Sequence, residues 1–244
     1  MMKKTKIEWT EQTWNPSVGC TKISDGCKYC YAEIMARRLE AMSMKGYENG
    51  FVFNIMEERL SQPLEVKQPT KFFVNSMSDL FHEEMPFSYV DKIMEVINST
   101  PQHVYQILTK RDYILKEYFS TRTVPENVWL GVTVESHKYL SRIDNLREIN
   151  AKIKFLSMEP LLSDIKELNL DGIDWVIVGG ESGTQARPMN PEWAINVKNL
   201  CKKQKTAFFF KQWGTWGADG TKRNKKVNGR MLQGKIWDEY PVFI

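Results

Sequence analysis

The sequence has no apolar run approaching the roughly 18 residues that a membrane-spanning helix needs. Its opening stretch, Met1-Met2-Lys3-Lys4-Thr5-Lys6, carries basic residues with no apolar segment behind them. Neither a membrane partner nor a secretory leader is expected. Histidine is scarce: His82, His103 and His137 are the only three in 244 residues, and they are scattered. A histidine-built metal site is not expected, and each of the three reads as a surface or capping residue. Four cysteines exclude a disulfide framework in a chain of this length. No Pro/Gly/Ser-rich linker and no sequence repeat is visible, which argues against a string of modules or a solenoid. Acidic residues are scarce in one place. Between Cys201 and Lys235 stand ten Lys/Arg and one acid, Asp219, whereas the rest of the chain has 24 basic and 29 acidic residues. The net charge of +4 therefore hides a basic C-terminal segment on a mildly acidic body. Such a segment suits an anionic partner, nucleic acid first among them. A 42% hydrophobic and 26% charged composition excludes disorder.

What is present is a recurring pattern. Six short apolar or β-branched runs follow one another: 72–74, 104–108, 128–132, 153–156, 175–178 and 207–210. Near-continuous apolar runs suit strands of a parallel sheet buried on both faces. Between them lie helical spacings, at Phe87, Val90, Ile93, Met94 and Ile97, at Leu140, Ile143, Leu146 and Ile149, and at Trp193, Val197 and Leu200 after Pro191. Strand–helix alternation predicts βαβ units. With an earlier strand near Trp14–Val18, about seven strands are expected, forming an α/β fold: a partial TIM-like (β/α)6–7 barrel of parallel strands. Each run ends in polar residues, among them Ser76, Ser78 and Asp79, Lys110 and Arg111, Thr133 and Glu135, Glu159, Gly179-Gly180-Glu181, and Lys211 with Trp213. In such a barrel these strand ends form one polar mouth, where active sites are built.

Three of the four cysteines fall within eleven residues, as Cys20-x6-Cys27-x2-Cys30. Clustered thiols read as metal ligands in a reducing cytoplasm. A structural zinc site is normally closed by four ligands, and no fourth is near. A [4Fe–4S] cluster held by three cysteines leaves one iron open to a small molecule. Cys201 sits at helical spacing and reads as a core residue. Trp9 and Trp14 are expected to pack under the cysteine loop.

Cys27-Lys28-Tyr29-Cys30, with its aromatic before the last cysteine, resembles the radical S-adenosylmethionine (SAM) superfamily, in which the first gap is usually three residues instead of the six found here. Thr13-Trp14-Asn15-Pro16, Leu108-Thr109-Lys110-Arg111, 129–135, 157–161, 179–183 and 210–214 extend the resemblance through almost the whole chain. Together they resemble a phage-associated family of three-cysteine, radical-SAM-like proteins without an assigned function. The resemblance implies a single radical-SAM-like barrel domain over 1–244, with 201–235 completing its rim. It implies a [4Fe-4S] cluster on Cys20, Cys27 and Cys30, with SAM on the open iron. Reduction would then cleave SAM to a 5′-deoxyadenosyl radical, and that radical would abstract hydrogen from a substrate. Expected SAM contacts are Tyr29, Ser76, Ser78, Asp79, Thr133, Glu135, Glu159, Gly179, Gly180 and Glu181. Lys110, Arg111, Arg187, Lys211 and Trp213 are expected to face the open end and meet an anionic substrate. A DNA, RNA or nucleotide substrate and an electron donor such as flavodoxin or ferredoxin complete the expectation. Two other readings compete: a metal-stabilised module that binds nucleic acid or a partner without turnover, and a zinc hydrolase.

Overall fold

The computed structural model describes residues 4–242, so Met1, Met2 and Lys3 of the opening stretch lie outside the described residues. The elements in chain order are β1 (Gln12–Trp14), β2 (Ser17–Val18), α1 (Tyr31–Ala41), β3 (Asn54–Ile55), β4 (Lys71–Val74), α2 (Phe87–Asn98), β5 (Val104–Thr109) and α3 (Asp112–Phe119). They continue with β6 (Val128–Thr133), α4 (Ser141–Arg147), β7 (Ile153–Met158), β8 (Trp175–Gly179), α5 (Pro191–Gln204), β9 (Ala207–Gln212), α6 (Lys225–Asn228), β10 (Met231–Leu232) and β11 (Lys235–Ile236).

Seven strands pair in parallel in the order β1-β4-β5-β6-β7-β8-β9. Spatial order equal to chain order is the winding of a barrel, and the sheet curls into a half-barrel. The expected first strand is corrected. It ends at Trp14, because Pro16 has no N–H to continue the ladder. Ser17–Val18 turns away and pairs antiparallel with Asn54–Ile55. The alternation also breaks once. No helix crosses from β7 to β8; an irregular segment covers the sheet with Leu161, Ile165, Leu168, Leu170 and Ile173.

The two faces of the sheet differ. One packs under the helices through Phe72, Val74, Tyr105, Ile107, Leu130, Val132, Leu156, Val176, Val178, Phe208 and Phe210. The other carries Phe73, Trp129, Phe155, Trp175, Ile177 and Phe209, and the N-terminal segment lays Trp9 across them. Trp9 meets Phe73 at 4.7 Å and Trp175 edge-on at 6.2 Å, the tilted geometries that aromatic quadrupoles favour. Trp9 thus closes the inside of the half-barrel, whereas Trp14 lies on the helical side against Tyr105, with its indole N–H donating to the Arg59 carbonyl at 2.8 Å.

Gly131 is a packing residue. A Cβ built there would lie 2.5 Å from the Phe155 ring. Gly131→Val is expected to overpack the barrel interior at a cost of about 1–3 kcal/mol. A urea denaturation series checks this; an unchanged midpoint would contradict it.

Candidate functional site

The C-terminal ends of the strands enclose a cavity of about 360 Å³. That lies within the roughly 300–1,000 Å³ usual for small-molecule sites. Trp9, Phe73 and Leu108 line its apolar part, and strand-end residues form its polar wall. Cys20, Cys27 and Cys30 all line it, half-buried and free of disulfides.

The loop carrying the cysteines sits between β2 and α1, and the ends of several strands hold it. Gly19, at φ +76, is required where the backbone passes against Val52. Ser78 donates through its hydroxyl to the Gly19 carbonyl at 2.6 Å. Arg111 is 1% exposed. Its guanidinium donates to Asp79 at 3.1 Å, Glu83 at 2.8 Å and the Thr21 hydroxyl at 2.7 Å, and reaches the Cys20 sulfur at 3.5 Å. Burial first, then Asp79, pushes the Cys20 thiol up to about 11, against the pull of Arg111. The Cys27 thiol goes the other way. Burial would raise it, but the Lys110 cation and hydrogen bonds from Ser24 and the loop backbone together bring it below its ordinary value.

Of the expected SAM contacts, Tyr29, Ser76, Ser78, Asp79, Thr133, Glu159, Gly180 and Glu181 line the cavity. Several are already engaged. The Asp79 carboxylate also accepts from the Phe81 and Lys110 amides and the Thr109 hydroxyl. Ser76 donates to Asn15 at 3.2 Å. Glu159 pairs with Lys211 at 2.9 Å. Glu181 is clamped by Arg187 through three hydrogen bonds, two from the guanidinium and one from the backbone amide. Gly179 leaves room for the Glu159 carboxylate, which a Cβ there would approach at 2.8 Å. Glu135 is not on the cavity. It is fully buried behind the cysteine loop, paired with Arg142 at 2.8 Å.

Of the expected substrate contacts, Lys110, Arg111 and Lys211 line the cavity, joined by Lys225 from α6. Arg111 is buried under the cysteine loop instead of facing the open end, because two carboxylates claim its guanidinium. Arg187 stands over the Tyr29 ring at 5.3 Å and is occupied by Glu181. Trp213 is corrected: it is 4% exposed, packs edge-on against Phe210 and donates its indole N–H to the Met231 carbonyl, so it does not face the mouth. The histidine expectation is corrected in part. His82 is buried and stacks on Phe53 at 4.5 Å, while accepting from the Glu84 amide as a cap; His103 is fully buried against Phe72. Cys201 is buried far from this wall, and burial pushes its thiol up to about 12.

Asn75, one of the polar strand-end residues, was not among the expected contacts. It is 3% exposed and lines the cavity at the end of β4, at φ +57. Its side-chain Oδ1 accepts the Ser17 amide, and its Nδ2 has no partner among the described residues. Trp9 Nε1 is in the same state on the same cavity. Buried donors without partners are rare and costly. A ligand with acceptor atoms in this cavity would satisfy them. The signal for Asn75 was its place as the first polar residue after an apolar run.

A family model described as "Protein of unknown function (DUF5131)" matches residues 4–241. The chain belongs to this family. No curated protein matches it. Among solved structures, spore photoproduct lyase complexed with dinucleoside spore photoproduct is 11% identical with a TM-score of 0.50, over 83% of this chain and 64% of that one. A cysteine mutant of spore photoproduct lyase is 15% identical with a TM-score of 0.49, over 74% and 58%. A further mutant, with bound AdoMet and dinucleoside spore photoproduct, is 12% identical with a TM-score of 0.48, over 73% and 58%. The chain thus spans about 58–64% of the length of these structures. The likeness shows the fold, a partial TIM-like barrel of parallel strands. Among the described residues no helix is long and apolar enough to cross a membrane.

Proposed function

We propose that this chain is a radical SAM enzyme acting on nucleic acid or a nucleotide, in modification or repair. The observation that carries the proposal is the gathering of three free, half-buried thiols and the polar ends of six strands on one cavity inside this half-barrel. The donor set fits the cofactor. A cubane takes each of three thiolates on a separate iron and leaves the fourth iron open, and the three half-buried thiols on this cavity offer that number of ligands. Bound there, the cluster and SAM supply reductive sulfonium cleavage and, through it, hydrogen abstraction.

The chain's own residues have the other tasks. Cys20, Cys27 and Cys30 hold the metal. Asn75 Nδ2 offers a hydrogen bond to the SAM carboxylate, and Ser76, Thr133 and Glu159 offer polar contacts to its amino and ribose groups. Gly180 lets the backbone approach the adenosyl group closely. Trp9, Phe73 and Leu108 keep the inner end dry. Lys110, Lys211 and Lys225 attract a phosphate at the mouth. The nucleic-acid part rests on these cations, on the basic segment 201–235, and on the dinucleoside bound in the lyase structure of like fold. The reading implies a cytoplasmic protein that receives its electron from a carrier such as flavodoxin or ferredoxin.

The test is anaerobic. The protein is reconstituted with iron and sulfide, then given dithionite and SAM, and 5′-deoxyadenosine is measured by mass spectrometry with and without oligonucleotides. Product from the wild type and none from Cys30→Ala supports the reading. A protein that binds oligonucleotides but never binds SAM is a binding module, and the reading fails.

A further inference from the structure

The long first gap of the cysteine motif has a seat of its own. Residues Ser24, Asp25 and Gly26, at its C-terminal end, are docked on the segment that joins β6 to α4. The Ser24 hydroxyl donates to Glu135 Oε1. The Asp25 amide donates to the Tyr139 hydroxyl at 3.0 Å, and the Asp25 carboxylate meets the Lys138 ammonium at 3.3 Å. Gly26 lies so close that a Cβ would stand 2.5 Å from Glu135 Oε1 and 2.6 Å from its Cγ.

Glu135 is itself locked in place. It is 0% exposed, and its second oxygen accepts from Arg142 Nη1 at 2.8 Å, while the same nitrogen donates to the Thr133 carbonyl at 2.7 Å. The Arg142 guanidinium also lies 4.3 Å from the centre of the Tyr139 ring, so Arg142 bridges the two groups that hold the loop, Glu135 and Tyr139. The Ser24 hydroxyl stands between Glu135 and the Cys27 sulfur, 3.5 Å from the latter. The turn closes with the Cys27 amide donating to the Ser24 carbonyl at 3.0 Å.

We infer that Glu135 is a positioning residue for Cys27. Through Ser24 and Gly26 it fixes the lengthened loop before any metal arrives, so that the Cys27 thiol is presented to the cavity in one place. This deepens the functional reading and rests on it for the identity of the metal group, whereas the preformed loop is tested on the metal-free chain. The buried Glu135–Arg142 pair costs desolvation, and its return is a loop held to one geometry. Preorganised ligands lose less entropy on binding, and groups behind metal ligands tune both orientation and affinity.

The first readout is hydrogen exchange of the metal-free protein at the Asp25 and Cys27 amides. The wild type is expected to protect both. Ser24→Ala removes the link without touching the Glu135–Arg142 pair, and protection is expected to fall about tenfold at these amides while the core strands keep theirs. Glu135→Gln leaves one acceptor oxygen for two donors, Ser24 and Arg142, and protection at the two amides is expected to fall there as well. Ser120→Ala, at the exposed end of α3, is the control and changes nothing. The second readout is the electron paramagnetic resonance spectrum of the reconstituted, reduced protein. Ser24→Ala is expected to shift its g-values, because the hydroxyl next to the Cys27 sulfur is lost; a residue that only supported the fold would lower occupancy and leave the g-values in place. Free exchange at Asp25 and Cys27 in the wild type overturns the inference, as does wild-type protection together with an unshifted spectrum in Ser24→Ala. A wild type that takes up no cluster sinks the functional reading alone, and the exchange data then decide the preformed loop by themselves.

Discussion

Cys27→Ala is expected to take the reconstituted protein from about four iron atoms per chain to a small fraction of that, because a three-cysteine cubane has no spare ligand. Cys201 cannot substitute: it is buried in the helical core, and its thiol is pushed up to about 12 by that burial. The fold itself is expected to survive. Cys27 is half-buried on a loop, outside every hydrophobic cluster, and its replacement opens no core cavity. The circular dichroism spectrum and the melting temperature of the metal-free variant should therefore match the wild type. Loss of iron with retention of fold is the signature of a ligand. A Cys27→Ala protein that still holds about four irons would show that the cluster, if present, sits elsewhere.

Arg111→Ala is expected to have the largest effect on stability. Arg111 connects four groups: Asp79, Glu83, Thr21 and the Cys20 sulfur. Removing one member of a buried pair strands the other, at a typical cost of about 3–5 kcal/mol. The low end applies, because the Asp79 carboxylate keeps its bonds from Phe81, Thr109 and Lys110. At about 2–4 °C per kcal/mol for a chain of this size, the melting temperature should fall by about 6–12 °C. Arg111→Lys should recover little, because a point charge cannot fork between two carboxylates and a hydroxyl. A melting temperature within about 2 °C of wild type, less than the shift of 1 kcal/mol, would contradict this account of the network.

The periodicity of the apolar runs was enough to read the half-barrel, because strands buried on both faces have nothing but apolar residues to offer. The polar strand ends were equally legible, since Ser76, Lys110, Thr133, Glu159 and Lys211 fall within three residues of the ends of those runs. What could not be read was which polar groups are spent on one another. Lys110, Arg111 and Arg187 look alike in sequence, yet Arg111 is bound under the loop and Arg187 is tied to Glu181. Glu135 looked like a wall residue two positions after Thr133. The chain leaves the strand there and turns its carboxylate behind the loop to meet Arg142, a partner seven residues on that no pattern announces. Trp213 was misplaced for a similar reason. Its surroundings read as an aromatic and basic surface, but β10 returns from the C-terminal segment and covers it, with Leu232 in the same core. Asn75 was given no role because an unpartnered amide is a fact about neighbours, not about sequence.

The most direct test of the central claim is the paramagnetic spectrum of the reconstituted, reduced protein before and after SAM is added. Three cysteines leave one iron open, so the account predicts a reduced-cluster signal whose g-values move when SAM binds, and no such signal in Cys27→Ala. A colourless protein with tightly bound zinc, or a cluster signal unaffected by SAM at saturating concentration, would contradict it.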